Sequence, residues 1–354
     1  MSEFLVEVRE MMDELSSGGE AAATAWVEKA RKIRSITRIP GDASTRRYYR
    51  IQAETGSFIL MQMESFEEQG MNLPFIEVQK HLASVAIDVP AILDVEPARG
   101  FMLLEDLGDI TLLRKLQEVS NPEVERHLYE RVIDQLVAMH VNASPQRKPA
   151  GIAGYSMRFD FEKLMWEVNF AIEQFYELHL KRRISDADRA VLQQGFGEIC
   201  TVLAGEPTVF THRDFHSRNV MVAPGRDGNE RLVMIDFQDA RLGPAQYDLA
   251  SLLKDSYYQL EESQIERLLD YAVARTEALS GNRLDRAHFR YIFDLMSIQR
   301  NFKAIGSFAS FQNKRGDPSY LKYIGNTFEN IRRTLLRHPR YARLREVLFH
   351  HYYF

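Results

Sequence analysis

Three polar residues in the second half of the chain have the types and the spacing that a phosphoryl transfer needs. Asp214 lies in the stretch VFTHRDFHSRNVMVA (209–223), and Asn219 follows it by five positions. Asp236 ends the apolar run of LVMIDFQDAR (232–241). Two carboxylates and an amide supply the oxygen ligands that Mg²⁺ prefers while it keeps phosphates and water in its shell. One carboxylate is then left to accept the proton of an attacking hydroxyl, so the pattern predicts a magnesium-assisted phosphoryl transfer.

The strands that must position these loops are predicted from short runs of apolar, β-branched and aromatic residues. Leu232–Ile235 is one such strand in the second half of the chain. In the first third, the pattern predicts a hairpin over 37–63 and two more strands at Pro90–Val95 and Gly100–Leu104. A helix is predicted between them, over 72–85.

Helices are predicted over most of the remaining chain, because apolar residues recur there about 3.6 positions apart. The predicted helices are 1–34, 123–141, 159–180, 186–203, 261–280, 285–309 and 318–337. A strand-rich first third followed by a helix-rich remainder predicts an α+β chain with two lobes, which suits a length of 354 residues. We expect an N-terminal lobe at 1–104, a C-terminal lobe at 105–354 and a hinge at Leu103–Gly108.

The composition excludes several classes of protein. A hydrophobic fraction of 45% and a charged fraction of 27% are those of an ordinary globular chain. The formal net charge of -5 argues against a protein that coats nucleic acid. A single cysteine, Cys200, excludes an intrachain disulfide and indicates a cytoplasmic chain. Since no apolar run approaches roughly 18 residues and no signal peptide is evident, no membrane association is expected.

The catalytic stretches resemble those of a known fold. His-Arg-Asp, then Asn, then Asp-Phe is similar to the catalytic and metal loops of the protein-kinase-like fold. His216, the IDFQD run at 235–239, Gly243-Pro244 and the Tyr-Asp-Leu-Ala run at 247–250 resemble the aminoglycoside phosphotransferase branch. The resemblance implies a small β-rich N-terminal lobe, a larger helical C-terminal lobe, and an ATP-dependent phosphotransferase with an alcohol group as acceptor.

The resemblance also implies a role for each polar residue of the two loops. Asp214 would be the catalytic base, and His212 would support the loop that carries it. Asn219 and Asp236 would be the Mg²⁺ ligands. Asp248 is expected to brace the C-terminal lobe and not to touch the substrate.

The ATP site is expected at a loop of the first strands and at the hinge. Backbone N–H groups and small hydroxyls of that loop would bind phosphate oxygens, although its single glycine is a weak signal by itself. The loop residues predicted to bind ATP are Gly41, Asp42, Ser44, Thr45 and Arg46. At the hinge, Met102 is expected to line the adenine site, and backbone groups of Glu105 and Leu107 to bond the edge of the base.

One strand departs from the pattern of this fold. Its kinases place a lysine there to pair the α- and β-phosphates, but Phe58–Glu64 contains neither lysine nor arginine. Arg46, Arg47 or Arg50, on the preceding loop and strand, is therefore expected to supply the charge.

Three further stretches resemble a subgroup of this family, the bacterial anomeric kinases that phosphorylate N-acetylmuramate and N-acetylglucosamine at the C1 hydroxyl in cell-wall recycling. They are GDASTRRYYRI (41–51), MLLEDLGD (102–109) and SIQRNFKAIGSFA (297–309). Such a sugar needs polar groups for its hydroxyls and, for a lactyl carboxylate, a basic residue. The predicted acceptor contacts are Glu167, Asn169, Arg300 and Lys303.

Other functions stay open on the sequence. Aminoglycoside, choline or homoserine is an alternative acceptor, although acceptor helices of both charge signs disfavour a polycation. The missing lysine leaves a nucleotide-binding pseudokinase open, against which the intact catalytic residues argue. A protein kinase is disfavoured because no Ala-Pro-Glu segment follows Asp236. The oligomeric state is not predicted.

Overall fold

The computed structural model describes residues 6, 9–10, 33–40, 46–148, 151–225 and 228–353. Four residues of the predicted phosphate loop, Gly41, Asp42, Ser44 and Thr45, lie outside the described residues, as does most of the predicted N-terminal helix. The roles expected of those four residues stay predictions.

An antiparallel sheet of five strands forms the first lobe. Its strands are β1 (Ile33–Ile39), β2 (Arg47–Ala53), β3 (Gly56–Gln62), β4 (Ile92–Glu96) and β5 (Phe101–Glu105), in the spatial order β1-β2-β3-β5-β4. Along β2, alternate residues Tyr49, Ile51 and Ala53 are buried, as expected of a sheet with one covered face. The helix predicted through residue 34 is wrong at its end, because Ile33 lies in β1 and pairs with Ala53.

Helix α1 (Pro74–Ser84) lies between β3 and β4 in the chain. It begins two residues later than predicted, since Pro74 is already suited to the first helical position by its fixed φ angle. Ile76 and Leu82 of this helix join Met61 and Met102 of the sheet in the main hydrophobic core. The sheet and helix together give the small lobe.

Helices dominate the second lobe. They are α2 (Leu112–Glu118), α3 (Pro122–Asn142), α4 (Phe161–Ala171), α5 (Asp186–Ala204), α6 (Gln246–Leu253), α7 (Glu262–Ser280), α8 (Arg286–Arg315), α9 (Ile324–Leu336) and α10 (Ala342–Tyr353). Helix α4 continues as a π-helical segment over Ile172–His179. Two antiparallel pairs complete the lobe: β6 (Val209–Thr211) with β9 (Arg241–Gly243), and β7 (Val220–Pro224) with β8 (Glu230–Met234).

The α+β class with two unequal lobes is confirmed, and the boundary after residue 104 stays a prediction. Helix α8 runs to Arg315, beyond the predicted end at residue 309, because the helix stops only where Gly316 adopts a left-handed φ of 69°. The sequence did not predict β1, α2, α6 or α10. In the described ranges, no helix is long and apolar enough to cross a bilayer.

Candidate active site

The loop that is predicted to be catalytic, residues 212–219, connects β6 to β7 and is held by hydrogen bonds to α6. Asp248 of α6 is fully buried, and its carboxylate accepts hydrogen bonds from the backbone N–H of His212 (2.8 Å) and of Arg213 (2.9 Å). The same carboxylate accepts a third bond from His140 Nε2 (2.9 Å). Arg213 has a φ of 82°, a conformation that a residue with a side chain rarely adopts. Asp248 thus stabilises a strained turn directly before Asp214.

His212 links the two polar loops. Its ring is buried, and Nε2 lies 3.0 Å from the carbonyl oxygen of Ile235, to which it donates. Ile235 directly precedes Asp236, whose own φ is 65°. His212 does not line the cleft, so the structure gives it a position from which it supports both loops.

Asp214 is surrounded by cations. Lys303 Nζ of α8 donates to Asp214 Oδ1 at 3.0 Å, and Arg213 Nε lies 3.9 Å from Oδ2. Burial by itself raises the pKa of this carboxyl, but the nearby charges of Lys303, Arg213 and Arg300 outweigh burial and hold the pKa well below its ordinary value. The side chain is therefore an ionised hydrogen-bond acceptor at neutral pH.

Asn219 and Asp236 lie together on the other side of Asp214. Asn219 Nδ2 donates to the backbone oxygen of Asp214 (2.9 Å) and lies 3.3 Å from Asp236 Oδ2. Gln238 Nε2 donates to Asp236 Oδ1 at 2.8 Å. Burial raises the pKa of Asp236, with the negative charge of Asp214 acting in the same direction, and the hydrogen bond from Gln238 offsets only part of this.

These donors fit a small, hard cation shared with phosphates. A carboxylate and an amide oxygen are the donor types that Mg²⁺ takes from proteins, and the ion keeps several other positions for phosphate and water. In the part of the chain that the structure describes, no group of three or more His, Cys, Asp or Glu side chains could hold a metal by protein ligands alone. The pair is suited to an ion that arrives with a nucleotide.

A cleft of about 980 Å³ opens over these residues between the two lobes. Apolar side chains of both lobes line the cleft near the hinge, together with charged ones. The apolar residues are Ile39, Ile59, Pro90, Leu104, Leu107, Met221 and Ile235. The expectation for Met102 is wrong: it is fully buried opposite Met61, and Leu104, two residues along the same strand face, lines the cleft instead.

Glu105 and Leu107 line the cleft, and the backbone hydrogen bonds expected between these residues and a base stay a prediction. The Glu105 side chain is directed to Arg231, with which it forms an ion pair, and its backbone N–H donates to Ala91 O at 3.0 Å. The backbone N–H of Glu105 is therefore already bonded within the first lobe.

The three arginines proposed to replace the lysine have different surroundings. Arg50 Nε and Nη2 bind Asp106 (2.8 and 3.1 Å), and Nη1 binds Asp109 (3.0 Å). Arg47 is exposed and does not line the cleft. Arg46 lines it, with its guanidinium carbon 5.8 Å from the Phe75 ring centre. The structure therefore favours Arg46.

The far end of the cleft has aromatic walls that the sequence patterns did not indicate. Tyr257, Phe308, Phe311 and Tyr320 line it, and the Phe311 and Tyr320 rings stack with centres 4.6 Å apart. One signal was available: Arg300, Lys303, Ala304, Ser307, Phe308 and Phe311 share one face of α8 at helical spacing. This face forms a wall of the cleft beside Asp214.

Two polar atoms in residues beside Tyr257 lack a hydrogen-bond partner among the described residues. They are Ser256 Oγ, in a residue that is 2% exposed, and His216 Nδ1. Burial lowers the pKa of His216 to about 3, with the nearby Arg300 charge acting in the same direction, so the ring is neutral. Both residues line the cleft.

Two of the four predicted acceptor contacts lie elsewhere. Glu167 is buried behind the cleft, where Gln299 Nε2 donates to it at 3.2 Å, and Asn169 is exposed and accepts from Gln193. Neither lines the cleft, because α4 turns these side chains toward α8 and α5. Arg300 and Lys303 do line it.

Comparison with known proteins agrees with this geometry. The model of the phosphotransferase enzyme family, APH, matches residues 35–280. The chain belongs to this family. The predicted enzyme class, an ATP-dependent phosphotransferase with an alcohol group as acceptor, is thereby confirmed.

Relatives of this phosphotransferase are similar over nearly their whole lengths. It is 31% identical to an N-acetylmuramate/N-acetylglucosamine kinase of Pseudomonas putida, over 89% of this chain and 87% of the relative. A Neisseria meningitidis protein of the same name is 30% identical, with 88% and 90% covered. A solved aminoglycoside phosphotransferase with bound ADP gives a TM-score of 0.55 at 12% identity, covering 86% of this chain and 94% of that one. The protein-kinase-like fold is thus confirmed.

Proposed function

We propose that this phosphotransferase transfers the γ-phosphate of ATP to the anomeric C1 hydroxyl of N-acetylmuramate, N-acetylglucosamine or both, a cytoplasmic step in cell-wall recycling. The observation that carries the proposal is the acceptor end of the cleft, where aromatic faces, unsatisfied polar atoms and cations lie beside Asp214. The names of relatives that are about 30% identical over most of the chain support the same acceptor.

An amino sugar suits this end of the cleft chemically. Its apolar C–H faces pack on aromatic rings, such as those of Tyr257 and Phe308. Its hydroxyl and acetamido groups need hydrogen-bond partners once they leave water, and Ser256 Oγ and His216 Nδ1 need partners as well. Binding of such a ligand would give hydrogen-bond partners both to the sugar and to these two protein atoms.

The alternative acceptors suit it less. Within the described part of the chain, the carboxylates that line the cleft are Glu105, Asp106 and Asp109 at the hinge and Asp214 and Asp236 at the catalytic loops. At the acceptor end, the described residues include no further carboxylate that could bind a polycationic aminoglycoside. The aromatic rings do not favour choline either, because the Arg218 guanidinium already lies over two of them.

ATP is proposed to lie in the apolar part of the cleft. Its adenine would pack between Ile59 and Met221, with its edge toward the Glu105 carbonyl and the Leu107 N–H. Arg46 would meet the phosphates in place of the usual strand lysine, together with the loop at 41–45.

Each polar residue of the site has its own proposed role in the transfer. Asn219 and Asp236 would hold Mg²⁺, which when bound neutralises charge on the phosphates. Asp214 would orient the attacking hydroxyl and accept its proton as the oxygen–phosphorus bond forms and the bond to the ADP oxygen breaks. Lys303 keeps Asp214 ionised and fixes its orientation.

The test measures both turnover and the position of the new phosphate. Purified enzyme with Mg²⁺-ATP is assayed for ADP release with both amino sugars, an aminoglycoside and choline. Phosphorylation at C1 removes the reducing end, so the product should fail a reducing-sugar assay, whereas phosphorylation at any other hydroxyl leaves it reducing. ADP release that only the aminoglycoside or choline supports would overturn the acceptor, and so would a reducing product.

The role of Asp214 is tested by Asp214→Asn. Loss of a general base and of the orienting charge should lower kcat by about 10² to 10⁴-fold. Asp186→Asn, at the exposed start of α5, is the matched control and should retain activity. Turnover of Asp214→Asn within tenfold of the wild type would contradict the assignment.

A further inference from the structure

Arg213 has a main-chain conformation that is costly for an arginine. Its φ of 82° lies in the left-handed region, which residues with a side chain rarely adopt and glycine adopts freely. The hydrogen bonds from this turn to Asp248 come from the backbone N–H groups of His212 and Arg213 and involve no part of the arginine side chain. A glycine would make the same bonds without the strain. The contacts of the side chain must therefore account for an arginine at this position.

The guanidinium of Arg213 lies between two carboxylates. Nη1 is 2.8 Å from Asp239 Oδ2, and Nε is 3.9 Å from Asp214 Oδ2. Nε is buried and has no hydrogen-bond partner among the described residues, since 3.9 Å is beyond hydrogen-bond distance. In unliganded active sites, catalytic contacts are often long and shorten only when the reactants are bound. Arg213 therefore has one ion pair formed and one donor left beside Asp214.

Arg213 and His212 hold the turn around Asp236 at both of its ends. His212 Nε2 donates to the carbonyl of Ile235, directly before Asp236, and Arg213 binds Asp239, three residues after it. Asp236 has a φ of 65°, so this turn is strained in the same way as the turn at Arg213. Two consecutive residues of one loop thus hold the other loop in place.

The carboxylate of Asp214 also has a cation near each of its oxygens. Lys303 of α8 donates to Oδ1 at 3.0 Å, and Arg213 lies on the side of Oδ2. Because these cations belong to different elements, loss of either would let the carboxylate rotate. Asp239 is 52% exposed, so water screens its ion pair with Arg213, and the pair contributes little to stability. The contacts of Arg213 are suited to fixing positions and less to stabilising the fold.

We propose that Arg213 is a positioning residue of the phosphoryl transfer, which bridges Asp214 and Asp239 and so fixes Asp214 relative to the turn of Asp236. The inference rests on the roles that the proposed function gives to Asp214 and Asp236, and it does not depend on which acceptor is bound. Arg213 does not line the cleft, so it acts through these carboxylates and not by touching a reactant.

The first test replaces the side chain and relieves the strain together. In Arg213→Gly, kcat with N-acetylglucosamine should fall about tenfold or more, because small displacements of reacting groups are this costly. KM for ATP and for the sugar should change by less than about threefold, since no reactant contact is lost. Arg213→Lys should give an intermediate kcat, because it keeps the charge and loses the planar fork.

Lys181→Gly is the matched control for relief of strain. Lys181 has a φ of 54°, is exposed and lies outside the cleft. Glycine removes the same kind of strain there, and kcat should stay at the wild-type value.

Thermal melting distinguishes an effect on position from an effect on stability. In Arg213→Gly, relief of strain and loss of a screened ion pair act in opposite directions, so the melting temperature should stay within about 4 °C of wild type. A lower kcat at that melting temperature supports the role of Arg213. A kcat within about threefold of wild type overturns it. A fall in kcat together with a fall of more than about 10 °C in melting temperature would make the residue structural and overturn it as well.

A double-mutant cycle with Asp239→Asn tests the bridge itself. Asp239→Asn removes the charge that Arg213 binds, so the effects of the two substitutions on kcat should not add, since both break the same bridge. Additive effects would overturn the bridge. If wild type releases ADP only with the aminoglycoside or choline, the proposed acceptor fails, and the same cycle measured with that acceptor still decides the role of Arg213.

Discussion

Replacement of Asp248 by asparagine tests how the catalytic loop is held. The buried carboxylate accepts three hydrogen bonds: from His140 Nε2 and the His212 N–H at Oδ2, and from the Arg213 N–H at Oδ1. An amide has one oxygen. Whichever way Asn is turned, its NH₂ group faces a backbone N–H of the loop, and at least one buried donor loses its acceptor.

The magnitude follows from these contacts. An unsatisfied buried donor costs about 1–3 kcal/mol, and the remaining bonds lose their charge assistance, so Asp248→Asn should lower the free energy of unfolding by about 2–4 kcal/mol. Because Arg213 is held at a φ of 82°, release of this turn should also displace Asp214 and lower kcat by at least about tenfold, with a smaller effect on KM for ATP.

Urea unfolding and steady-state kinetics on the same preparations check both numbers. Asp186→Asn, on an exposed first turn, should change the unfolding free energy by less than about 1 kcal/mol and leave kcat unchanged. If Asp248→Asn lowers the free energy of unfolding by less than about 1 kcal/mol, the three hydrogen bonds do not stabilise the fold as argued. A full loss of stability with a normal kcat would refute the link from α6 to the position of Asp214.

Two further predictions concern charge and burial. Arg46→Gln should raise KM for ATP about tenfold or more through loss of a phosphate contact, whereas Arg47→Gln, one residue along and exposed, should leave it unchanged; equal effects in steady-state kinetics would contradict the choice of Arg46. Burial raises the pKa of the Cys200 thiol to about 12, so the native enzyme at about pH 8 should react with a disulfide reagent far more slowly than the denatured chain. Rapid labelling of the native enzyme would contradict the packing around α5.

The sequence was informative where contacts are local. Asp214 and Asn219 lie on one loop, and Asp236 follows a strand that pairs with the end of that loop, so a few dozen residues contain the whole predicted catalytic group. Their types restrict the chemistry to oxygen ligands and a base. The helices with clear periodicity were predicted for the same reason, since burial of one face repeats every few residues.

Predictions failed where residues distant in the sequence decide which way a side chain faces. Whether Met102 or Leu104 faces the cleft depends on how far along β5 the lobe interface lies. Glu167 and Asn169 have suitable side chains for a sugar, but the packing of α4 on α8 turns them away. Nothing near Arg50 in the sequence indicates that Asp106 and Asp109 bind it.

By itself, then, the sequence determined the family and the two-lobed class and predicted which residues are catalytic, because each depends on short segments whose residue types are tied to one chemistry. Only the tertiary structure decided which residues form the acceptor end of the cleft. Arg218, Ser256, Phe308 and Tyr320 come from four segments separated by as many as a hundred positions. They meet because α8 packs on α6 and α9, and close packing of helices is a property of the whole core that no single segment encodes.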